Sequence, residues 1–298
     1  MTVRKAVLPV AGYGTRFLPA SKAVPKEMLP LVDRPAIQYV VEECARAGLD
    51  DVLLVTSMGK SALEDHFDRR LDLESALEAK GKDDVLAEVR AISDIAEVSS
   101  VRQHEQLGLG HAVLMGRQHV GDEPFVVVLG DDIVDPSDHY LERMLAVHEA
   151  SGRPTIALME VPEDQTHMYG IATVEETDDE DVVAITGMVE KPEPGTAPSN
   201  LAIIGRYVLP AEIFEVLEQT PRGAGGEIQL TDALVTLAEQ EPLRGVVFRG
   251  VRHDVGDKLG FLKATVHLAL EREDLGPDFR AWLTSFLADR ADVPVGPQ

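Results

Sequence analysis

The feature that most constrains the fold of this chain is the alternation, through its first half, of short apolar runs with segments of helical periodicity. Apolar runs at residues 3–10, 52–56 and 125–129 are separated by segments such as residues 35–48, in which apolar side chains recur at helical spacing. The runs are apolar on both faces, which is typical of strands that helices cover on both sides. The alternation therefore predicts an α/β fold in which helices flank a mixed, mostly parallel central sheet.

Beyond about residue 151 the pattern is more mixed, and we expect its strands to extend the same sheet. The strands predicted in this second half are residues 155–160, 170–174, 182–190 and 201–209. Over the whole chain, further helices are predicted at residues 59–69, 110–119, 210–219, 230–239 and 257–271. The last of these carries Leu259, Leu262, Val266 and Ala269 on one face. We expect one domain over residues 1–298, with a first half at about residues 1–150, a second half at about residues 151–275, and a C-terminal helix and tail at residues 276–298 that fray from Ala291.

The formal charge of −24 excludes classes of partner that need a basic surface. We predict no binding to nucleic acid or to a membrane, because both present anionic surfaces that recruit clusters of Lys and Arg. The longest apolar runs are also too short to span a bilayer. The single cysteine, Cys44, lies on the apolar face of residues 35–48. We therefore interpret it as a core residue of a protein in the reducing cytoplasm.

A glycine-rich turn follows the first apolar run, with the sequence Ala11-Gly12-Tyr13-Gly14-Thr15-Arg16. Its two glycines allow backbone amides to approach a phosphate group closely. Phe17 stands where a dinucleotide-binding fingerprint has its third glycine, which argues against an NAD-dependent oxidoreductase. By itself, a simple change of chain direction explains such a turn about as well.

Three prolines within residues 19–30 prevent a regular helix directly after this turn. They favour a stiff, extended loop, which can hold Arg16 and Lys26 as fixed cations against a polyphosphate. Glu27 follows Lys26, and its carboxylate is a candidate acceptor of hydrogen bonds from a nucleobase edge.

Two carboxylates follow predicted strands. Asp131 comes just after the apolar run at residues 125–129, and Asp254 lies at a second candidate strand end. Ligands of α/β sheets bind at the carboxyl ends of the strands, and a pair of carboxylates with phosphate oxygens and water suits Mg²⁺. For the neighbouring Asp132 two roles are open, a partner of the metal ligand or a helix cap before Ser137, and we favour the cap.

The motifs continue along nearly the whole chain. Besides Gly12-x-Gly14-Thr15-Arg16 and the Pro-Lys-Glu-Met-Leu-Pro of residues 25–30, they comprise Gln103 with residues 107–112, and residues 129–132, 169–171, 190–192, 205–207, 226–232 and 254–258. In this order and spacing they closely resemble the bacterial UTP–glucose-1-phosphate uridylyltransferases, a branch of the sugar-nucleotide pyrophosphorylases. The resemblance implies a Rossmann-like, GT-A-like nucleotidyltransferase fold, with a nucleotide-binding first half and a sugar-phosphate-binding second half.

The resemblance also implies a role for each matching residue. The nucleotide is contacted by Ala11, Gly12, Gly14, Thr15, Glu27, Gln103 and Gly108. The sugar phosphate is contacted by Gly170, Glu190 and Lys191, Mg²⁺ is held by Asp131 and Asp254, and Arg16, Lys26 and Lys191 serve catalysis. Gln106 is an alternative reader of the base, and we favour Gln103 because of its offset to Gly108.

The implied reaction is an in-line attack by the phosphate oxygen of glucose 1-phosphate on the α-phosphorus of UTP, which expels pyrophosphate. The attacking oxygen is already ionised at neutral pH, so catalysis consists of positioning and charge neutralisation. One rival is a pyrophosphorylase that prefers dTTP or another sugar 1-phosphate. The other is a catalytically silent regulatory subunit, which the retained catalytic and metal-binding residues disfavour.

UTP and glucose 1-phosphate are the implied small-molecule partners, and the resemblance suggests a homodimer or homotetramer. Trp282 and Phe286 stand four residues apart in the predicted terminal helix. We expect them to pack against the body of the protein or against a neighbouring subunit.

Overall fold

A nine-stranded sheet forms the centre of the protein over residues 2–290, the part of the chain that this computed structural model describes. Its strands are β1 (Lys5–Pro9), β4 (Asp51–Thr56), β5 (Glu97–Arg102), β6 (Phe125–Val128), β8 (Thr155–Glu160), β9 (Gly170–Glu176), β10 (Val182–Glu190), β11 (Leu201–Leu209) and β12 (Leu243–Phe248). Two short ribbons pair β2 (Pro30–Leu31) with β3 (Arg34–Pro35), and β7 (Asp132–Val134) with β13 (Arg252–Asp254).

The helices lie on both faces of this sheet. They are α1 (Ala36–Arg46), α2 (Ser61–Phe67), α3 (Leu71–Ala79), α4 (Asp83–Ser93), α5 (Leu109–Leu114), α6 (Arg117–Val120), α7 (Tyr140–Ser151), α8 (Ile213–Gln219), α9 (Leu230–Gln240), α10 (Lys258–Glu271) and α11 (Gly276–Ala288).

The strand order, β5-β4-β1-β6-β11-β8-β12-β10-β9, shows one continuous mixed sheet, as predicted. The sheet is not mostly parallel, however, because four of its strand pairs are parallel and five are antiparallel. The strands β5, β4, β1 and β6 are parallel neighbours, because long connections that contain helices return the chain to the same end of the sheet. In the second half β11, β10 and β9 form antiparallel pairs, and only β8 and β12 pair in parallel. The parallel strands therefore bring the loops that follow their carboxyl ends together at one end of the sheet.

Alternate residues of each central strand pack on opposite faces of the sheet. In β1, Ala6 and Leu8 join a core beneath α1, α7 and α10, whereas Val7 joins a core beneath α5, α8 and α9. Cys44 is fully buried in the first of these cores, and burial raises the pKa of its thiol. This confirms that Cys44 is a core residue.

Some predicted elements differ in detail from the structure. The helix expected at residues 110–119 is divided into α5 and α6. Of the apolar face predicted for α10, Leu259 and Leu262 are each 61% exposed, Val266 is half-buried and Ala269 is buried. The predicted fraying from Ala291 lies outside the described residues. None of the helices found within residues 2–290 is long and apolar enough to cross a membrane.

Candidate active site

The glycine-rich turn leaves β1 and packs against the proline-containing loop. Gly14 has a left-handed φ of 64°, a conformation that favours glycine. A Cβ there would lie 3.2 Å from Lys26 Cβ and 3.3 Å from Ser21 Cβ, and the Ser21 hydroxyl donates to the Gly14 carbonyl at 2.7 Å. A Cβ on Gly12 would instead meet open space. The turn is thus packed at Gly14 and open at Gly12, where a phosphate can approach the backbone together with the exposed Thr15.

Lys26 and Arg16 reach the same acidic corner of the structure. The Lys26 ammonium forms an ion pair with the Asp131 carboxylate, and Arg16 Nη1 lies 3.5 Å from the carbonyl oxygen of Gly256. Burial lowers the pKa of Lys26, but the neighbouring Asp131 outweighs this effect, and the pKa is raised above its ordinary value. Lys26 is therefore a fixed positive charge at neutral pH.

Asp131 and Asp254 converge on Gly256. The amide of Gly256 donates to Asp254 Oδ1 at 2.9 Å, and the amide of Val255 donates to the Asp131 carbonyl at 2.9 Å. A Cβ on Gly256 would lie 2.8 Å from Asp131 Oδ2 and 2.9 Å from Asp254 Oδ1. The two carboxylates therefore face one point, which only a residue without a side chain leaves free.

The chemistry of this cradle fits a hard divalent cation. Burial raises the pKa of Asp254 and the negative charge of Asp131 raises it further, while the Gly256 amide and Arg252 oppose the shift without cancelling it. In residues 2–290 no group of three or more His, Cys, Asp or Glu side chains is arranged to hold a metal. An ion held by these two carboxylates would take its other ligands from phosphate oxygens and water, as Mg²⁺ often does.

The expected base-reading loop lies beside the glycine-rich turn. Gln103 is buried, and its Nε2 lies 3.2 Å from the Gly108 carbonyl oxygen and 3.0 Å from His111 Nδ1. Gln106 Nε2 donates to the Ala11 carbonyl at 2.7 Å. Both glutamines line one cavity of about 670 Å³, which is in the size range of small-molecule sites. Which of them reads a base stays a prediction.

Glu27, expected at a base edge, makes an internal ion pair in the structure. Its side chain is only 2% exposed, and Oε2 lies 2.9 Å from Lys60 Nζ. Lys60 also donates to the carbonyl of Val10, directly after β1. One oxygen of Glu27 is therefore occupied by Lys60, and contact of the other with a base stays a prediction. The sequence reasoning missed Lys60, because a single lysine before a helix carries no distinguishing pattern.

Gly170, Glu190 and Lys191 lie where β9 pairs with β10. Gly170 and Glu190 are register partners, and a Cβ on Gly170 would lie 3.0 Å from Glu190 Oε2. Lys191 has a left-handed φ of 45°, which is uncommon for a residue other than glycine, and its exposed ammonium lies 3.7 Å from Glu190 Oε1. These three residues form one group. Lys191 pairs there with Glu190, whereas Arg16 and Lys26 lie at the carboxylates beside Gly256.

Asp132, interpreted from the sequence as a helix cap, is instead the centre of a buried ionic network. It accepts hydrogen bonds from Arg252 Nε at 2.7 Å and from the Gly205 amide at 3.0 Å. Arg206, fully buried, lies 3.3 Å from Asp132 and binds both oxygens of Glu43 at 2.7 and 2.6 Å.

The network corrects the cap interpretation, because Asp132 begins strand β7 and no helix starts there. Burial disfavours the charged form of Asp132, but Arg206 and Arg252 outweigh it and lower the pKa of the carboxyl. Arg252 and Asp132 lie on the two strands of the β7–β13 ribbon. The network thereby stabilises the β7–β13 ribbon, in which Asp131 directly precedes β7 and Asp254 ends β13.

Comparisons with known proteins show the family to which this chain belongs. A family model described as nucleotidyl transferase matches residues 5–271. A UTP–glucose-1-phosphate uridylyltransferase of Staphylococcus haemolyticus is 51% identical over 269 residues, which cover 90% of this chain and 93% of the relative.

Solved structures give the same result. UTP-bound UGPase from Acinetobacter baumannii has a TM-score of 0.89 and 45% identity, covering 95% of this chain and 99% of that one. A UDP-glucose pyrophosphorylase complexed with UDP-glucose has a TM-score of 0.81 and 42% identity, covering 91% of this chain and 100% of that one. The chain therefore belongs to the nucleotidyl transferase family, in the branch of the UTP–glucose-1-phosphate uridylyltransferases.

Proposed function

We propose that this protein transfers the uridylyl group of UTP to α-D-glucose 1-phosphate, giving UDP-glucose and pyrophosphate. The observation that carries the proposal is the convergence of Lys26, Arg16, Asp131 and Asp254 around Gly256. Cations and a carboxylate pair meet there at the carboxyl end of parallel strands, where a triphosphate can be bound. The names of the relatives, and the solved relatives bound to UTP and to UDP-glucose, support this choice of substrates.

The side chains of the site suit a reaction that is driven by electrostatics. The phosphate of glucose 1-phosphate is ionised at neutral pH, so its attack on the α-phosphorus requires no general base. Arg16 and Lys26 neutralise charge on the triphosphate and on the departing pyrophosphate. Lys191 holds the sugar phosphate, and Glu190 accepts hydrogen bonds from sugar hydroxyls. Each residue acts by orienting a reactant or by stabilising negative charge.

Asp131 and Asp254 are proposed to hold Mg²⁺. Asp131 Oδ2 and Asp254 Oδ1 lie 2.8 and 2.9 Å from one point, the Cβ position of Gly256, and a pair of carboxylates that face one point suits this ion. When bound, the ion supplies charge that reduces the repulsion between the two phosphate-bearing reactants. Removing divalent cations with a chelator should abolish turnover, and adding Mg²⁺ back should restore it.

A pyrophosphate-release assay tests the proposed reaction. UTP, dTTP and the other nucleoside triphosphates are each paired with glucose 1-phosphate and with galactose 1-phosphate. The highest turnover with UTP and glucose 1-phosphate supports the proposal. Preference for dTTP would identify the related pyrophosphorylase instead, and no release with any pair would favour a silent sugar-nucleotide-binding subunit.

The assembly state and the two functional halves stay predictions. Trp282 of α11 is 54% exposed, stacks on Phe279 and contacts Phe286 of the same helix at a tilt of 33°. Its aromatic face is available to a second copy of the chain, as expected for a homodimer or homotetramer. Light scattering of the purified protein, with Trp282→Glu as the comparison, measures whether the protein associates through this helix. Action in the cytoplasm is likewise proposed, and fractionation of cells tests it.

A further inference from the structure

A short segment, residues 227–231, contacts two parts of the candidate site. One is the base-side loop, residues 103–110, and the other is the sugar-side group, which consists of Gly170, Glu190 and Lys191. At its first end, the amide of Ile228 donates to the Leu107 carbonyl at 2.6 Å, and the Ile228 carbonyl accepts from the amide of Gly110 at 2.9 Å. These two backbone bonds bind the segment to the loop that precedes and begins α5.

Gly108 lies between these two bonds and fits closely against the segment. A Cβ on Gly108 would lie 2.7 Å from Glu227 Cβ and 2.8 Å from the Ile228 carbonyl oxygen, and its φ is 99°. The carbonyl of Gly108 in turn accepts from Gln103 Nε2 at 3.2 Å. The position of the base-side loop is therefore set in part by residues 227–231.

At its other end the segment enters α9, and Thr231 contacts the sugar-side carboxylate. Thr231 Oγ1 donates to Glu190 Oε2 at 3.0 Å. A Cβ on Gly170 would lie 3.0 Å from the same oxygen and 3.7 Å from Thr231 Oγ1, so Oε2 sits between β9 and the first turn of α9. The amino-terminal turn of a helix also favours a nearby negative charge.

The other oxygen of Glu190 has a competing partner. Glu190 Oε1 lies 3.7 Å from the ammonium of Lys191, which is exposed and free to approach it. Without the Thr231 hydroxyl, the carboxylate would turn towards Lys191 and form a closer ion pair. That pair would take both residues away from a sugar phosphate. Thr231 thus holds the Glu190 carboxylate in a position from which this carboxylate can still accept hydrogen bonds from other donors.

We propose that Thr231 is a positioning residue for the sugar substrate. It fixes the Glu190 carboxylate, and through residues 227–231 this carboxylate is coupled to the base-side loop at Gly108. The inference rests on the proposed function, because it assigns Glu190 and Lys191 to glucose 1-phosphate. It adds a role for a motif, residues 226–232, to which the sequence assigned none.

Thr231→Val tests the proposal, since it keeps the shape of the side chain and removes the hydroxyl. We expect the KM for glucose 1-phosphate to rise about 5- to 20-fold. The KM for UTP and the thermal unfolding midpoint should stay close to those of the wild type. Thr231→Ser should restore the KM, because it returns the hydroxyl. Thr236→Val is the matched control, since Thr236 is exposed on the same helix α9 and bonds only to the Asp232 carbonyl, at 3.3 Å.

Two results would overturn the positioning role. One is an unchanged KM for glucose 1-phosphate in Thr231→Val, and the other is an equal rise in the KM for UTP. If the valine variant is unstable, Thr231→Ala removes the same hydroxyl without adding atoms and is judged in the same way. A wild-type protein that releases no pyrophosphate from UTP and glucose 1-phosphate refutes the proposed function, whereas an active wild type with an unaffected Thr231→Val refutes this inference alone.

Gly108→Ala tests the coupling along the segment. The added methyl group must push against Glu227 and Ile228, so we expect a higher KM for glucose 1-phosphate as well as for UTP. Gly121→Ala is the control, because Gly121 also has a positive φ, 68°, but open space around its Cβ position. A rise confined to the KM for UTP would refute the coupling.

Discussion

Gly256→Ala is the substitution that tests the candidate metal site most directly. The new Cβ would lie 2.8 Å from Asp131 Oδ2 and 2.9 Å from Asp254 Oδ1, whereas ordinary contacts begin near 3.4 Å. At least one carboxylate oxygen must therefore move by about 0.5 Å, while metal–ligand distances tolerate only about 0.2 Å. Mg²⁺ demands nearly ideal octahedral geometry and does not adapt to such a shift. We expect its apparent affinity to fall about 10- to 100-fold.

The assay is pyrophosphate release at saturating UTP and glucose 1-phosphate while free Mg²⁺ is varied. The variant should need more Mg²⁺ for half-maximal rate, and excess Mg²⁺ should recover part of the lost turnover. Gly187→Ala in β10 is the matched control, because the nearest atoms to its Cβ position belong to Thr173 at 3.7 Å. It should follow the wild-type magnesium curve.

An unchanged magnesium curve for a folded Gly256→Ala would refute the reasoning. The thermal unfolding midpoint shows whether the variant is folded. In that case Asp131 and Asp254 would not share an ion at Gly256, and the metal assignment would have to be abandoned.

Three further predictions concern single side chains. Lys26→Ala should lower kcat about 100- to 1,000-fold even at saturating UTP, because its charge acts on the leaving group; full recovery of kcat at high UTP would contradict this role. Lys191→Ala should raise the KM for glucose 1-phosphate about 10- to 100-fold with little change for UTP, and initial-rate kinetics that show the opposite pattern would exclude it from the sugar phosphate. Hydrogen bonds from Arg69, and to a smaller extent from Arg90, lower the pKa of Glu74 from its ordinary 4.5 to about 2. The ionised carboxylate therefore stabilises the folded state fully above pH 4.5, and this stabilisation is lost as the pH falls towards 2. Glu74→Gln should therefore lower the thermal unfolding midpoint at neutral pH, and the difference in midpoint from the wild type should shrink below pH 4.5. A difference in midpoint that is constant down to about pH 3 would show that the ion pairs of Glu74 do not contribute to stability.

The sequence predicted best the elements that have a strong period and clear ends. The strands β10 and β11 begin and end at the predicted residues, because long apolar or alternating runs stand between polar, glycine- and proline-containing loops. The face of α10 was less predictable. Periodicity placed Ala269 correctly on the buried side, but Ala264 and Leu268 pack inward with it, while Leu259 and Leu262 of the predicted stripe are exposed.

Candidate site residues were predictable where local sequence limits the chemistry. Gly14 needs a left-handed φ, and Asp131 follows a buried strand, so both stand out in the sequence. The role of Asp132 could not be predicted, because its partners Arg206 and Arg252 are distant along the chain. They meet Asp132 only through the pairing of β7 with β13 and the position of β11.

The sequence by itself determined the alternation of strands and helices, the glycine-rich turn after β1, and the residues able to bind phosphate or a hard cation. These properties depend on neighbours along the chain, whose spacing is set by the covalent backbone. Only the tertiary structure decided that Lys26 meets Asp131, that Gly256 separates two carboxylates, that Lys60 takes one oxygen of Glu27, and that Thr231 holds Glu190. Such contacts join residues far apart in the chain, and strand order and register, which no local pattern encodes, bring them within hydrogen-bonding distance.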